Sequence, residues 1–342
     1  MSQPASQTPP VFTAALHDVR YFANILRGIH FSNRAVLLFH DTFFRVTVER
    51  ARVLVADAYI HYTMFDEHKY TPSERALEEG APGAEFEIPL NVLVEVLNIF
   101  GSGFASIPSS SQSSVKRLGR GGGDDSDSDD GQGKIDHYFG KKDKDAKKTG
   151  MRMSYAGEGH PLVLLLSEDA TGPKTTCEIK TLEPDDMVEF PFDDQRKILK
   201  IIMKSSWLRD ALAELDSWSC RDITFIATPP KDGPSRPTKG KQTQAALPTL
   251  RIHAEGTFGS TEMDYPNDRE VLESFECEGE VSFTYKFSHI HHCLQALRSS
   301  SKTSLRIDDE GLLALQFMMP TAKAESGVTF IEFRCLPQEN DP

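Results

Sequence analysis

Three groups of residues in this chain have types and spacings suited to chemistry. Gln132, Ile135, Tyr138 and Phe139, in the stretch QGKIDHYFGKK, bring an amide, an aliphatic side chain and two adjacent rings close together. On one helical turn the aliphatic and the rings share a face, a shape that plugs an apolar pocket while the amide hydrogen-bonds at its side. In HIHHC, His289 and Cys293 stand four apart, a separation that suits two metal ligands on a helix. A structural zinc needs four ligands, however, and no complementary pair stands out. Asp66 and Glu67 are adjacent carboxylates, but metal-assisted phosphodiester hydrolysis gathers several carboxylates around one or two ions, and this pair has no supporting set. No P-loop, GxSxG or Rossmann glycine pattern is present.

The first group lies in the least globular part of the chain. From Ser102 to Lys148 the sequence is rich in Gly, Ser, Asp and Lys, with basic and acidic residues almost balanced. A shorter Pro/Lys-rich stretch runs from Pro229 to Pro248, and residues 1–10 read as a disordered tail. Both internal stretches are expected to be insertions at surface turns. The 342 residues are enough for two ordinary domains. No apolar run reaches the roughly 18 to 20 residues that span a bilayer, and the start has no signal-peptide pattern. Five scattered cysteines without a CxxC point to a reducing compartment. The net charge of −13 argues against an all-round basic nucleic-acid binder but leaves room for a confined basic face.

With the insertions set aside, the remainder is a duplication. EFEIPL followed by NVLVEVLNIF is answered by VSFTYKF followed by SHIHHCLQAL; MRMSYAGEGHPLVLLLSE by SLRIDDEGLLALQFMMP; TTCEIKTLEP by VTFIEFRCLP. Each copy opens with a helix, expected over Ala15–Ile29 in the first. In the second it is expected over QRKILKIIMKS, capped by Asp193 or Asp194 after a strand MVEFPF. The class is α+β: two tandem domains of mostly antiparallel sheet, each with two helices on one face. The helices then display polar stripes at helical spacing. They are His17, Arg20, Asn24 and Arg27; Lys197, Lys200 and Lys204; and His291, Gln295 and Arg298 with Lys302 beyond. The second helix is the exception, with Asn91, Glu95 and Asn98. Basic stripes on an acidic body suit contact with phosphates, although any one stripe is also what a solvated helix face looks like.

This pattern resembles the PCNA-like sliding-clamp fold. More narrowly, LHDVRYFANILRGIHF, FRVTVERARVLVADAYIH, LNVLVEVLNIFGS, MRMSYAGEGHPLVLLL, GSTEMDYP and VTFIEFRCLP together resemble the Rad-one subunit of the heterotrimeric 9-1-1 DNA-damage checkpoint clamp. The resemblance spans about Val11 to Pro337. It implies clamp domains over 11–182 and 187–338, joined by a connector at 183–186. It also implies a non-catalytic role in a ring with Rad-nine and Hus-one type subunits, placed on duplex DNA by a checkpoint clamp loader in the nucleus. Arg20, Arg27, Lys197, Lys200, Lys204 and Arg298 would face the DNA, with His17 and Lys302 as weaker candidates. Sheet edges would pair with neighbouring subunits. In such clamps the groove for peptide partners lies beneath the connector, which here lacks a long apolar run. Gln132, Ile135, Tyr138 and Phe139 fit the PIP-box pattern of clamp partners, so the loop is expected to be a ligand for a clamp groove, in PCNA or a ring neighbour. The competing reading is a strand-like segment packed on the parent domain. Ser126 and Ser128, set among aspartates, are candidate phosphorylation sites, and KKDKDAKK is a candidate nuclear import signal. No metal or other cofactor is expected. The rival readings are a metal-dependent DNA exonuclease and an interaction scaffold that never encircles DNA.

Overall fold

The computed structural model describes residues 10–72, 83–99, 148–168, 172–216, 219–229, 250–257, 259–322 and 329–339. In the first half, β1 (Phe12–Leu16) and α1 (Arg20–Gly28) lead into β2 (Arg34–Phe39), β3 (Phe43–Arg50), β4 (Leu54–His61), β5 (Glu67–Tyr70) and β6 (Ala84–Pro89). Then follow α2 (Leu90–Leu97), β7 (Gly150–Tyr155), β8 (Leu162–Ser167) and β9 (Lys174–Ile179). The second half repeats the order. It runs β10 (Lys197–Lys204), α3 (Ser205–Asp216), β11 (Cys220–Ala227), β12 (Leu250–Gly256), β13 (Gly259–Tyr265), β14 (Leu272–Cys277) and β15 (Val281–Lys286). It ends with α4 (Phe287–Ile290), α5 (Leu294–Ser299), β16 (Lys302–Asp308), β17 (Leu313–Met318) and β18 (Phe330–Cys335).

Among the described residues the strands form three antiparallel sheets. One runs β5-β1-β7-β8-β9, another β13-β12-β11-β15, and a nine-stranded sheet β14-β10-β16-β17-β18-β4-β3-β2-β6 crosses from one half to the other. The crossing is the β18–β4 pair, in register from Phe330 opposite Tyr59 to Cys335 opposite Leu54. Alternating burial along β3 and β18 turns one face of this sheet to the core and the other outward.

Each half opens with a strand before its helix. Phe12, Ala14 and Leu16 alternate into the core and pair with β5 and β7, so the helix expected from Ala15 starts only at Arg20. The larger correction concerns QRKILKIIMKS, which is strand β10 and not a helix. Its lysines recur at near-helical spacing, but its buried residues, Leu199, Ile201 and Met203, recur at period two. Strands β14 and β16 flank it on both sides. The helix begins at Ser205, whose hydroxyl lies 2.9 Å from that of Thr303. MVEFPF, expected as a strand, has no regular structure. The fourth helix is broken by a 3-10 turn at His291–Cys293.

Helices from both halves pack side by side. α1 and α3 each lie against α5, and α1 touches α2. Ser299 donates to Asn24 across the junction at 3.0 Å. Gly28 permits the close approach, since a Cβ there would come within 2.5 Å of Ile331 Cδ1 and 3.3 Å of Ala296 Cβ. Beneath, Phe12 stacks on Phe39 with centroids 3.9 Å apart.

Candidate nucleic-acid and partner interfaces

The helical layer contains a cavity of about 750 Å³ at the junction of the halves, lined in part by Arg27, Phe31, Asn91, His291, His292 and Arg298. Phe31 stacks on His292 with centroids 5.1 Å apart. Burial, then the nearby Arg50, His291 and His289, hold the His292 imidazole down at about 4. The sign follows: the unfolded chain takes up this proton below about 6.5 while the folded chain resists until about 4. Stability is therefore full above 6.5 and declines as pH falls to 4, by on the order of 3 kcal/mol for this group. Urea unfolding at pH 7, 5 and 4 is expected to show a smaller acid loss for His292→Gln than for the unaltered chain; equal losses would refute the assignment.

The cationic candidates disperse. Arg27 and Arg298 lie on the helical layer at the cavity rim. Arg20 does not reach it: it is 5% exposed and grips Asp18, with Nη2 2.6 Å and Nε 2.9 Å from the carboxylate. That ion pair, more than the opposing effect of burial, pushes the guanidinium pKa up. Lys197 and Lys200 both pair with Glu276, at 3.2 and 3.5 Å. Lys200 is in register with Arg306, whose side chain meets the connector residue Asp194. It therefore lies on the face of β10 opposite Leu199, Ile201 and Met203, and Lys204 shares its parity. The three lysines are thus corrected from the helical stripe to a strand. His17 pairs with Asp66 at 2.8 Å, and Lys302, on β16, with Glu273 at 2.7 Å. The true third helix, α3, exposes Trp207, Asp210, Glu214 and Asp216, so its stripe is acidic rather than basic. That stripe was legible in SSWLRDALAELD and was missed because the helix was placed one element too early.

On the outer face of the nine-stranded sheet the connector covers a polar network. Arg334 binds Asp57, which also accepts from Thr47 Oγ1 at 2.5 Å, and Arg306 binds Glu332. Asp57 is 1% exposed. Burial, then the nearby Arg45, lowers the Arg334 pKa, and burial raises that of Glu332 against the pull of Arg306. Val188, Phe190 and Phe192 of the connector pack with Val55, Leu312 and Leu336. Beside them is a cavity of about 480 Å³ lined in part by Arg45, Thr47, Asp57, Glu85, Met187 and Arg334. The connector is therefore longer than 183–186 and lacks regular structure up to Asp193.

Farther along the same outer face runs an aromatic strip. His40 stacks on Phe43 at 4.7 Å, Phe43 meets Tyr59 at 5.9 Å, and Tyr59 stacks on Phe330 at 4.7 Å. Met318, opposite Phe330 in register, is 44% exposed. Sequence reading missed this strip because its members come from three distant segments. Strands β9 and β13 terminate the five- and four-stranded sheets. Gln132, Ile135, Tyr138, Phe139, Ser126 and Ser128 lie outside the described residues, as do KKDKDAKK from Lys141 to Lys147 and nearly all of the 102–148 and 229–248 insertions.

Among the described residues no group of three or more His, Cys, Asp or Glu is placed to hold a metal ion. Cys293 is fully buried, with burial raising its thiol pKa, so the HIHHC segment is a packing element. No helix among the described residues is long and apolar enough to cross a membrane.

This architecture is the PCNA-like clamp fold. The proliferating cell nuclear antigen structure from Entamoeba histolytica superposes with a TM-score of 0.63 at 11% identity, covering 96% of this chain and 99% of that one. The family model for repair protein Rad1/Rec1/Rad17 matches residues 11–319, and the chain belongs to that family. It is 31% identical to the human cell cycle checkpoint protein RAD1 over 96% of this chain and 92% of the relative. It is 28% identical to the DNA damage checkpoint control protein rad1 of Schizosaccharomyces pombe, over 96% and 86%. It is 26% identical to a protein of Mycosarcoma maydis named DNA repair exonuclease REC1, over 90% and 87%.

Proposed function

We propose that this chain is a non-catalytic subunit of a ring-shaped checkpoint clamp that encircles duplex DNA at damage sites in the nucleus and recruits signalling and repair factors. The observation that carries the reading is the continuous β18–β4 pairing beneath one shared helical layer, which joins two clamp half-units through one sheet. Edges β9 and β13 offer unpaired backbone groups to Rad-nine and Hus-one type neighbours, and a checkpoint clamp loader would place the ring. Arg27 and Arg298 are the phosphate-facing residues that remain. With an acidic α3 stripe in the same layer, DNA is held more by topology than by charge. The outer strip of Phe43, Tyr59, Phe330 and Met318 suits partner docking, as aromatic and Met side chains do. Mixing the purified chain with the two related subunits should give a 1:1:1 species by native mass; a chain that stays alone would count against a ring.

The loop from Gln132 to Phe139 is proposed as a ligand for a clamp groove, in PCNA or a ring neighbour, with phosphorylation at Ser126 and Ser128 adding negative charge beside it. A loop peptide is expected to bind PCNA or the assembled trimer, and Tyr138→Ala with Phe139→Ala to abolish that binding while assembly survives. Unchanged affinity in a titration would remove this role. The name of the Mycosarcoma maydis relative suggests a nuclease, but Asp66 lies 2.8 Å from His17 Nδ1 and Glu67 3.4 Å from Arg152, and among the described residues no third carboxylate joins them in a metal-holding group.

A further inference from the structure

The connector residues 187–192 are built like a bound ligand rather than like a link. Phe190 is 8% exposed and its neighbours Glu189 and Pro191 are exposed, while Val188 and Phe192 are half-buried. This is the alternation of an extended strand, yet among the described residues no strand pairs with the segment. Among the described residues its ties to the sheet run through side chains. Glu49 Oε2 accepts from the Val188 amide at 2.9 Å, Arg334 Nη1 donates to the Phe190 carbonyl at 2.8 Å, and the Arg306 guanidinium lies 4.8 Å over the Phe192 ring. The apolar seats are Val55, Leu312 and Leu336, a small cluster separate from the main core. In the adjoining cavity Arg45 keeps a buried Nε without an acceptor among the described residues.

We infer that this connector is an autoinhibitory strap: Val188, Phe190 and Phe192 occupy the cleft between the halves as an internal ligand, and a partner reaches the cleft only by displacing them. The partner that fits is an extended segment with apolar side chains at alternate positions, its backbone accepting from Arg334 and donating to Glu49. A helical aromatic plug would not match the spacing of the seats. The inference holds whether or not the ring encircles DNA. A segment held by a few side-chain ties and a satellite cluster belongs to the low-stability end of a fold, where local opening occurs.

The test uses a labelled peptide of residues 186–194 (DMVEFPFDD) and the full chain. A variant with Phe190→Ala and Phe192→Ala is expected to bind the peptide in trans at least about tenfold more tightly than the unaltered chain, roughly the effect of 1.4 kcal/mol. A peptide with both phenylalanines replaced should not bind. Equal binding to both chains would overturn the inference. Should the variant misfold, hydrogen exchange on the unaltered chain decides. The Val188 amide is expected to exchange at least about a hundredfold faster than the β4 and β18 amides; exchange at the core rate would show an integral element, not a strap.

Discussion

Replacing Arg334 with methionine is expected to lower stability by about 3–5 kcal/mol, because it strands a buried carboxylate. Asp57 is 1% exposed and, among the described residues, would keep Thr47 Oγ1 as its side-chain partner. The loss is a large share of the roughly 5–15 kcal/mol that holds a typical domain together. It falls on β18 and β4, where the sheet passes from one half to the other, and it also releases the Phe190 carbonyl. Changing Asp57 to leucine in the same molecule removes the stranded charge. The double variant is therefore expected to recover most of the loss, since an apolar pair can replace a buried ion pair at little cost. Urea unfolding of the two single variants and the double variant checks this; a double variant as unstable as Arg334→Met would show that the ion pair is not the source.

The second large effect is expected at β9. Successive amides of a strand point to opposite sides, so one of Thr175→Pro and Thr176→Pro removes an N–H directed away from β8 and the other an N–H directed toward it. The outward variant is expected to keep its thermal midpoint and lose association with the related subunits by more than about a hundredfold, roughly the effect of 2.8 kcal/mol. The inward variant is expected to lose stability instead. Two folded variants that both assemble normally would remove β9 as a subunit contact.

Much of the fold is readable in the sequence because the duplication repeats strand patterns such as VTFIEFRC and TTCEIK at the right places, and each became an antiparallel strand. The largest error has a clear physical origin. A local spacing satisfies two periods at once, and the tertiary partner decides. KILKIIMK offers lysines at helical intervals and apolar residues at strand intervals; the flanking strands β14 and β16 select the latter. Arg20 sits on the expected helix, yet Asp18, two residues earlier, folds it inward. That Arg27 and Arg298 lie on helices was legible. The aromatic strip and the strap were not, because Phe43, Tyr59 and Phe330 converge only when β18 pairs with β4, and MVEFPF reads as an ordinary strand until its ladder partners prove absent.

The proposed ring makes one demand that no scaffold or nuclease shares, which is retention by topology. The purified trimer is loaded with its loader and ATP onto a nicked circular duplex, washed at high salt, and the circle is then cut once. Because the α3 stripe in the helical layer is acidic, retention is expected to resist salt while the circle is closed and to vanish on linearisation. Complexes that stay bound after the cut, or that wash off closed circles as readily as off linear DNA, would contradict the account.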